Sequence, residues 1–251
     1  MKAIILAAGV GKRFKEVTDQ RPKCLITIQG RTLLQRTLEA LGAAGVQEAV
    51  VVVGYRGEMI KQHIDSACGG VRVRYAFNPQ YDKGAILSLW SARAEFDDDI
   101  LIMDADVLFP VALIDRLVRS AHANCFLLDG SAVNTGEEQM LLTRNGRVLN
   151  IVRGGSGDFE VTGESVGFLK ISRHDAPLLR SILDDLVRQG RDTIEHEEAF
   201  PMFLAQRVVG FERVDDLPWT EIDFPADLEH AEREVLPRIL ALDRSISEPR
   251  Q

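Results

Sequence analysis

A glycine-rich stretch near the N-terminus combines two features that suit phosphate binding. Gly9 and Gly11 follow a short apolar run, and Arg13 and Lys23 come shortly after the second glycine. Glycines at such a turn allow backbone N–H groups to approach a phosphate closely. The transition state of phosphoryl transfer gathers negative charge, which lysine, arginine and magnesium can offset. The stretch therefore predicts a triphosphate site.

Two common nucleotide motifs do not fit this stretch. The dinucleotide fingerprint requires a third glycine where this chain has Phe14, which disfavours a dinucleotide-dependent oxidoreductase. The phosphate loop of NTPases requires Ser or Thr directly after its Gly-Lys pair, where this chain has Arg13. A tight turn that merely exposes Lys12 and Arg13 to solvent is the remaining alternative. The nearby Pro22-Lys23 pair weighs against that alternative, because it adds a further cation.

A pair of aspartates closes a second apolar run. Asp104 and Asp106 follow Ile100–Met103, and side chains two residues apart on an extended segment point the same way. Magnesium, which triphosphate chemistry commonly requires, prefers carboxylate and phosphate oxygens. We therefore expect a carboxylate of this pair to bind Mg²⁺. An ordinary carboxylate at a strand end is the alternative for Asp104.

Apolar periodicity places these residues on strands and helices that alternate in the first half of the chain. The predicted strands are Lys2–Ala7, Glu48–Val53, Val71–Phe77 and Ile100–Met103. The predicted helices are Thr32–Ala44, Arg56–Ser66, Gly84–Ala94 and Pro110–Ala121. This alternation predicts an α/β fold with a parallel sheet and helices on both faces.

The second half of the chain has a different pattern. A hairpin is predicted around Asn145-Gly146, from Met140–Thr143 and Arg147–Val152. Further predicted strands are Gly167–Ser172 and Val208–Val214, and further predicted helices are Ala176–Arg188, Glu197–Leu204 and Pro225–Val235. No linker divides the chain, so we expect one domain over residues 1–240. Residues 1–125 form its nucleotide-binding half, residues 126–240 form an acceptor-binding half with a small β-rich insertion, and residues 241–251 form a loose tail.

Composition excludes several classes of protein. The formal net charge of −8 disfavours general nucleic-acid binding. The three cysteines are scattered and lack the spacing of a zinc site, so we expect reduced thiols. The N-terminal apolar run is too short for a signal peptide or a membrane span, which predicts a cytoplasmic protein without a membrane partner. The sequence leaves the oligomeric state open, a homodimer included.

The glycine stretch resembles a known signature. Leu6-Ala7-Ala8-Gly9-x-Gly11-x-Arg13 followed by Pro22-Lys23 is similar to the motif of nucleotidyltransferases that activate phosphorylated alcohols and sugars. The resemblance implies a Rossmann-like, mixed and mostly parallel sheet, and transfer of a nucleoside monophosphate with release of pyrophosphate. It implies catalytic contacts of Arg13 and Lys23 with the triphosphate. The residues that it implies for holding the base and phosphates are Leu6, Ala7, Ala8, Gly9, Gly11, Lys12 and Arg13.

The resemblance is closest to cytidylyltransferases that act on phosphocholine or 2-aminoethylphosphonate. The segments that carry it are Asn78-Pro79-x-Tyr81, Ser88-Leu89-Trp90, Asp104-Ala105-Asp106, Glu164-x-x-Gly167 and Trp219–Asp223. It implies that Asn78, Ser88 and Asp104 help to bind the nucleotide. It also implies that Asp106 and Asp223 bind Mg²⁺, although Asp223 could instead cap the helix predicted from Pro225. Many members carry paired asparagines where this chain has Gly84-Ala85, a departure that bears on the acceptor more than on the reaction.

A cationic acceptor head group would need carboxylates or an aromatic face. The side chains that could supply them are Tyr81, Glu164, Glu197, Trp219 and Glu221, and Lys83 could hold the acceptor's phosphate. Each has a structural alternative: Tyr81 as a core or rim aromatic, Glu197 in a solvated helix start, and Lys83 as a solvated lysine.

These features together predict a Mg²⁺-dependent cytidylyltransferase. It would transfer CMP from CTP, or use another NTP, with a small phosphorylated or phosphonate acceptor such as phosphocholine or 2-aminoethylphosphonate. The alternative within the class is a sugar-1-phosphate or inositol-phosphate nucleotidyltransferase that uses CTP, UTP or GTP. A non-catalytic nucleotide-binding protein is the alternative from another class. The joint presence of Arg13, Lys23, Asp106 and Asp223 argues against it.

Overall fold

The computed structural model describes residues 1–14 and 20–247 of the 251-residue chain. Within these ranges the strands, labelled β1 to β14 in chain order, are Lys2–Ala7, Thr27–Ile28, Arg31–Thr32, Glu48–Val53, Ala67–Cys68, Val71–Phe77, Ile100–Asp104, Val107–Leu108, Cys125–Asp129, Gln139–Arg144, Arg147–Arg153, Val161–Ile171, Gly210–Arg213 and Thr220–Glu221. The α-helices, labelled α1 to α8, are Leu33–Ala43, Gly57–His63, Ile86–Ser91, Val111–Arg119, Ala176–Arg188, Phe200–Leu204, Pro225–His230 and Leu236–Ser247. Short 3-10 segments lie at Lys12–Phe14, Lys23–Leu25, Arg93–Glu95 and His196–Ala199, and a π turn lies at Ala231–Val235.

Four parallel strands form the centre of the main sheet, in the order β6-β4-β1-β7. The antiparallel strands β12, β10 and β11 extend the sheet beyond β7, and β9 pairs with both β12 and β13. The prediction of a mixed, mostly parallel, Rossmann-like sheet flanked by helices is confirmed. The strand order reverses beside β1, and in open α/β sheets such a reversal creates a ligand-binding crevice beyond the carboxyl ends of the strands.

Apolar clusters cover both faces of this sheet. Successive side chains of a strand point to opposite faces, so neighbouring residues of β1 enter different clusters. Ile5 belongs to the cluster that contains Leu38 of α1, whereas Ile4 belongs to the cluster that contains Leu89 of α3 and Leu183 of α5. All five residues are fully buried. This packing fixes β1, and therefore the loop that follows it, between two layers of helices.

Strand β12 changes partners at Gly167. Its first part pairs with β10, its last four residues pair with β7, and β9 runs along its other edge. Gly167 has a φ of +82°, and a Cβ there would lie 2.5 Å from Asp104 Oδ2, so only glycine fits without displacement. The bend places the backbone of β12 against the carboxylate at the end of β7.

A third apolar cluster joins the N-terminal loop to the C-terminal helices. Phe14 is 1% exposed and belongs to one cluster with Ile28 of β2, Leu108 of β8 and Leu236 of α8. The bulky residue that breaks the dinucleotide fingerprint is therefore a core residue. It anchors the end of the glycine loop to a different part of the fold.

The helical pattern predicted to stop at Val235 continues through the π turn into α8. Leu236 and Ile239 are buried in the third cluster, so the chain gains apolar contacts by remaining helical. The prediction of a loose tail over residues 241–251 is therefore wrong for residues 241–247, which are helical. The last four residues lie outside the described part of the chain.

Most predicted elements are present, with differences at their ends. The hairpin around Asn145-Gly146 and the helix Ala176–Arg188 are confirmed. Thr32, predicted as helical, instead caps α1: its side chain accepts a hydrogen bond from the backbone N–H of Gln35 at 3.2 Å. The buried strand Cys125–Asp129 has no predicted counterpart, because its short apolar run carries no alternation.

Three further predictions do not concern the helices and strands: the division of the chain into two halves, its location in the cell and its oligomeric state. The division into a nucleotide-binding half and an acceptor-binding half at residue 125 stays a prediction, as do the cytoplasmic location and the oligomeric state. Among the described helices, none combines the length and apolar character needed to cross a bilayer.

The start of α3 is docked tightly on a segment from the second half of the chain. The backbone N–H of Gly84 donates to Asp192 O at 3.0 Å, and the N–H of Ile86 donates to Ile194 O at 3.2 Å. A Cβ at Gly84 would overlap the carbonyl oxygen of Ile194 and the backbone of Thr193. Gly84, the first residue of the pair that departs from the paired asparagines of similar sequences, is thus needed for this close backbone contact.

Replacing this glycine tests the contact. We expect Gly84→Ala to lower the free energy of unfolding by about 2 kcal/mol, the magnitude that overpacking a buried site commonly costs. Chemical denaturation monitored by circular dichroism measures the change. Gly9→Ala is the control, since a Cβ at Gly9 would meet nothing within 4 Å and should cost much less. Equal stability of the Gly84→Ala variant and the unmodified protein would contradict the assigned contact.

Candidate active site

A cleft with a volume of about 390 Å³ opens beyond the carboxyl ends of β1 and β7. The loop after β1 and the segments that follow β7 and β14 supply parts of its wall, together with β12 residues near the bend. The cationic side chains on the wall are Arg13, Lys23, Lys83 and Arg153. The carboxylates on the wall are Asp104, Asp106, Glu137, Glu138, Glu164, Glu195, Glu197, Glu221 and Asp223. This excess of negative charge means that a polyanion needs additional positive charge to bind here.

Lys23 lies between two carboxylates from distant parts of the chain. Its ammonium nitrogen is 2.7 Å from Asp106 Oδ2 and 2.5 Å from Asp223 Oδ1. Asp106 follows β7, Asp223 follows β14, and the N–H of Ile222 donates to the backbone oxygen of Asp106 at 3.0 Å. Because β14 also pairs with β8, backbone hydrogen bonds hold the two carboxylate-bearing segments side by side.

Arg13 and Lys23, both from the N-terminal stretch, meet at Asp223. Burial lowers the pKa of Lys23, but the charges of Asp106 and Asp223 and their hydrogen bonds raise it by more, so the pKa lies above its ordinary value. Arg13 Nη1 is 2.7 Å from Asp223 Oδ2, and its guanidinium lies 6.0 Å from the centre of the Phe224 ring. The side chain of Arg13 is 52% exposed, so it can reach a ligand in the cleft.

Three carboxylates in this region fit a divalent cation. One oxygen from each of Asp106, Glu221 and Asp223 lies within 4.8 Å of the other two. Asp106 Oδ1 is buried and receives no hydrogen bond from the described residues, which is costly unless a cation or ligand pairs with it. Oxygen donors of this kind suit Mg²⁺. Removal of solvent and the charges of Asp106 and Asp223 raise the pKa of Glu221 to about 8, as expected for crowded carboxylates.

The backbone loop after β1 offers open space for a ligand. A Cβ at Gly9 would meet nothing within 4 Å, and Gly11 has a φ of +67°. The N–H of Phe14 donates to Gly11 O at 3.0 Å, which closes the loop into the Lys12–Phe14 turn. Ser88 faces the same cleft and is held by the buried Asn78, whose side-chain amide donates to Ser88 Oγ at 3.1 Å.

Acidic side chains also surround Glu164 on β12. Asp129 is its register partner on β9, and Glu138 lies just before β10. Burial, followed by the charges of Glu138 and Asp129, raises the pKa of Glu164 to about 7. An adjoining hollow includes these residues together with Trp219, whose indole N–H donates to Asp129 Oδ2 at 2.8 Å. A cationic group near Glu164 would relieve this repulsion.

The cleft brings together most of the residues predicted from the sequence. Those on its wall are Leu6, Ala7, Ala8, Gly9, Gly11, Arg13, Lys23, Lys83, Ser88, Asp104, Asp106, Glu164, Glu197, Glu221 and Asp223. Trp219 lines the adjoining hollow, and Asn78 supports Ser88 from behind. Tyr81 lies away from the wall, against Gly54 and Tyr55, as the structural alternative expected. The side chain of Lys12 lies outside the described part of the chain, and the individual roles stay predictions.

Sequence reasoning missed one central side chain. His196 is 5% exposed and lies on the wall between Asp104 and Glu197. The charged run Glu195-His196-Glu197-Glu198 favours a solvated helix start. It does form a 3-10 turn with a capping box, but His196 within it is buried. The buried Phe200 packs edge-on against His196, with ring centres 5.7 Å apart. An aromatic four residues after a histidine was the available signal, since both residues then face the same side of a helical turn.

With this geometry in place, comparison with known proteins identifies the family. Residues 3–158 match the model of the MobA-like NTP transferase domain, and the chain belongs to that family. The resemblance to nucleotidyltransferases inferred from the sequence is thereby confirmed. The inositol-1-phosphate CTP transferase from T. maritima has a similar fold, with a TM-score of 0.75 over 95% of both chains at 22% identity.

Curated relatives include cytidylyltransferases. The CMP-5'-(3-aminopropyl)phosphonate synthase of Streptomyces rubellomurinus is 34% identical over 125 residues, which cover 49% of this chain and 20% of that protein. The choline-phosphate cytidylyltransferase of Haemophilus influenzae is 31% identical over 168 residues, which cover 66% of this chain and 68% of that protein. The chain thus spans one fifth of the first relative and about two thirds of the second.

The raised pKa of Glu164 predicts a pH-dependent stability. Because the folded-state pKa is about 7 and the ordinary value is 4.5, the folded protein loses stability as pH rises between these values. We expect Glu164→Gln to remove this loss and to raise the free energy of unfolding by about 1–3 kcal/mol above pH 7, with little change near pH 4.5. Urea unfolding at pH 5 and pH 8 measures both effects.

The control for this experiment is Glu229→Gln, which neutralises an exposed carboxylate paired with Arg233. It should change stability by less than about 1 kcal/mol at either pH. A Glu164→Gln variant with the same pH profile as the unmodified protein would show that Glu164 titrates normally.

Proposed function

We propose that this protein transfers CMP from CTP to a small phosphorylated or phosphonate acceptor and releases pyrophosphate, with Mg²⁺ as cofactor. The observation that carries the proposal is that Lys23 forms ion pairs with Asp106 and Asp223 in the cleft that the glycine loop also lines. These groups come from three segments of the chain and converge at the switch point of the sheet. Membership of an NTP transferase family and the similarity to a CMP-5'-(3-aminopropyl)phosphonate synthase and a choline-phosphate cytidylyltransferase support the same reaction.

The proposed reaction requires one displacement at phosphorus. An oxygen of the acceptor's phosphate or phosphonate forms a bond to the α-phosphorus of CTP, and the bond from that phosphorus to the β-phosphate oxygen breaks. The acceptor oxygen is already ionised at neutral pH, so no protein base must remove a proton from it. The protein therefore contributes mainly positioning and charge stabilisation.

Lys23 and Arg13 are the residues that stabilise charge in this scheme. Lys23 stays protonated because Asp106 and Asp223 hold its pKa above the ordinary value against the opposing effect of burial. It is fixed by two ion pairs, whereas Arg13 is half exposed and can adjust to the phosphates. A fixed ammonium and an adjustable guanidinium together offset the charge that develops on the oxygens around phosphorus.

The carboxylates Asp106, Glu221 and Asp223 would hold the magnesium ion. When bound there, Mg²⁺ supplies positive charge that polarises the phosphate oxygens and orients the triphosphate. The same three carboxylates would repel a bare triphosphate, so their presence beside the glycine loop is itself an argument for a metal ion.

A covalent protein intermediate is not part of this proposal. Cys24 is the cysteine on the wall of the cleft, and it is 2% exposed. Burial, together with the charge of Asp106, raises the pKa of Cys24 to about 12, so its thiol stays neutral and is a poor nucleophile. Ser88 is nearly buried and its hydroxyl accepts a hydrogen bond from Asn78. Direct attack by the acceptor is therefore favoured.

A pyrophosphate-release assay tests this function. We expect turnover that requires Mg²⁺, with CTP preferred over ATP, GTP and UTP. The acceptor panel contains 2-aminoethylphosphonate, phosphocholine, glucose-1-phosphate and inositol-1-phosphate. A preference for UTP or GTP with a sugar phosphate would replace the proposal by the sugar-nucleotide alternative. CTP binding by calorimetry without any turnover would indicate a non-catalytic nucleotide-binding protein.

Lys23→Ala tests the assigned stabilisation of charge. We expect kcat to fall by roughly 10²–10³-fold, because a preorganised cation that faces the reacting phosphate is removed. The matched control is Lys61→Ala, which removes an exposed lysine paired with Glu58 on α2. Steady-state rates of pyrophosphate release and circular dichroism spectra are compared for both variants. Full activity in a folded Lys23→Ala variant would refute the role of Lys23.

A further inference from the structure

A second group of titratable side chains lies in the same cleft, apart from the proposed metal ligands. His196 Nε2 is 3.8 Å from Asp104 Oδ1, and His196 Nδ1 is 3.1 Å from Glu197 Oε2. One polar atom from each residue lies within 4.8 Å of the other two. The side chains are 25%, 6% and 18% exposed for Asp104, His196 and Glu197. We call this group the inner acidic cluster.

Polar atoms of the inner acidic cluster lack hydrogen bonds. His196 Nδ1 and Glu197 Oε2 are both buried, and no hydrogen bond from the described residues reaches either atom. They lie 3.1 Å apart without the alignment that a hydrogen bond requires. Buried polar atoms in this state are costly, and their explanation is commonly a missing ligand, ion or water. Both atoms belong to side chains on the wall of the cleft, where Asp104 and Glu197 keep 25% and 18% of their side chains exposed.

The inner acidic cluster also lacks a cationic partner. Among the described side chains, no lysine or arginine lies within the 4.0 Å ion-pair distance of Asp104 or Glu197. Lys23, which is close enough to act on Asp104 through its charge, is already paired with Asp106 and Asp223. The arrangement therefore suits a ligand that brings its own positive charge.

The chemistry of the cluster distinguishes between kinds of cation. A primary ammonium donates three hydrogen bonds, and two carboxylates and an imidazole nitrogen can accept them. A quaternary ammonium donates none and is recognised through aromatic faces. Among the described residues that line the cleft, the one phenyl side chain is that of Phe14, and it is only 1% exposed. Phe200 is 3% exposed, and its ring is nearly perpendicular to the imidazole of His196, at an interplanar angle of 83°.

Spacing links this cluster to the reaction centre. Asp104 belongs to the cluster and Asp106 to the proposed metal site, and they are two residues apart. Two residues of fully extended chain span at most about 7 Å. A short acceptor could therefore place its charged nitrogen at one aspartate and its reacting oxygen near the other.

We propose that Asp104, His196 and Glu197 bind a primary ammonium group of the acceptor, so that the substrate is a short aminoalkyl phosphonate or phosphate. This inference rests on the proposed function and names its substrate class. It assigns Asp104 to the acceptor, although the resemblance implied a role in nucleotide binding. The group's positive charge offsets the two carboxylates, and its N–H bonds satisfy the polar atoms that lack partners.

A series of N-methylated acceptors tests the proposal on the unmodified protein. The acceptors are 2-aminoethylphosphonate, its N-methyl, N,N-dimethyl and N,N,N-trimethyl forms, and ethylphosphonate, each assayed for pyrophosphate release with CTP and Mg²⁺. We expect kcat/KM to fall as N–H donors are lost, by about 100-fold or more from the primary to the quaternary amine, because buried acceptors are left unpaired. A trimethyl form used as well as the primary amine would overturn the inference.

Variants then locate the selectivity. Asp104→Asn and Glu197→Gln should reduce the ratio of kcat/KM between the primary and quaternary amines to less than about 10-fold. Glu198→Gln is the matched control, because Glu198 is the next carboxylate along the chain and pairs with Arg191 instead of facing the cleft. It should keep the full ratio. An unchanged ratio in folded Asp104→Asn and Glu197→Gln variants would overturn the assignment.

Two rival occupants give different results. If a quaternary head group binds in the adjoining hollow, phosphocholine is the better acceptor and Trp219→Leu impairs its use, which overturns the inference. If the cluster instead binds a metal ion, calorimetry with MnCl₂ or ZnCl₂ in the absence of nucleotide shows binding, and His196→Gln abolishes that binding. If the His196→Gln variant also keeps its selectivity between amines, the inference is overturned. Absence of pyrophosphate release with every acceptor would refute the proposed function itself, whereas turnover without amine preference would refute this inference alone.

Discussion

The ion pairs of Lys23 with Asp106 and Asp223 are the interaction on which the arrangement of the cleft depends. They join the segment that contains Lys23 to two segments that lie 83 and 200 residues farther along the chain. Removing one partner from a buried ion pair commonly costs about 3–5 kcal/mol, because the remaining charge is left without compensation. The two segments that carry Asp106 and Asp223 are also held together independently of Lys23, through the register of β14 with β8 and the hydrogen bond from Ile222 to Asp106. Backbone pairing thus sets the positions of the carboxylates, and Lys23 balances their charge.

Phe14 explains why the glycine loop departs from the dinucleotide fingerprint. A glycine at that position would allow the following helix to pack closely on the strand. Here the loop instead ends in a short 3-10 turn, and Phe14 enters an apolar cluster with residues of β2, β8 and α8. The loop is therefore held by packing against the C-terminal part of the chain, which also contains β14 and its neighbour Asp223. Packing and charge pairing connect the two ends of the chain at the same place.

The sequence predicted the parallel core, the hairpin and the cleft residues at strand ends, because those features depend on local periodicity and on where parallel strands terminate. It could not predict how far α8 continues, because that depends on Leu236 and Ile239 meeting a cluster built from distant residues. It also missed the bend at Gly167, since the first part of β12 is a strand through its pairing with β10 and β9, which are distant in sequence. His196 was missed because it is buried beside Asp104, a residue 92 positions earlier in the chain, and no local pattern reveals that proximity.

The distribution of charge in the cleft has a consequence for the order in which ligands bind. In the proposed reaction Asp106, Glu221 and Asp223 would repel a triphosphate, so we expect the nucleotide to bind best after or together with a divalent cation. Asp104 and Glu197 face the other part of the cleft, where burial, followed by the charges of Glu197 and Asp106, raises the pKa of Asp104 above its ordinary value. Nearby bound triphosphate would add further negative charge, which strengthens the attraction for a cationic acceptor. We therefore expect prior binding of the metal-bound nucleotide to increase the affinity for such an acceptor, whereas an anionic acceptor without a cationic group would gain no equivalent benefit.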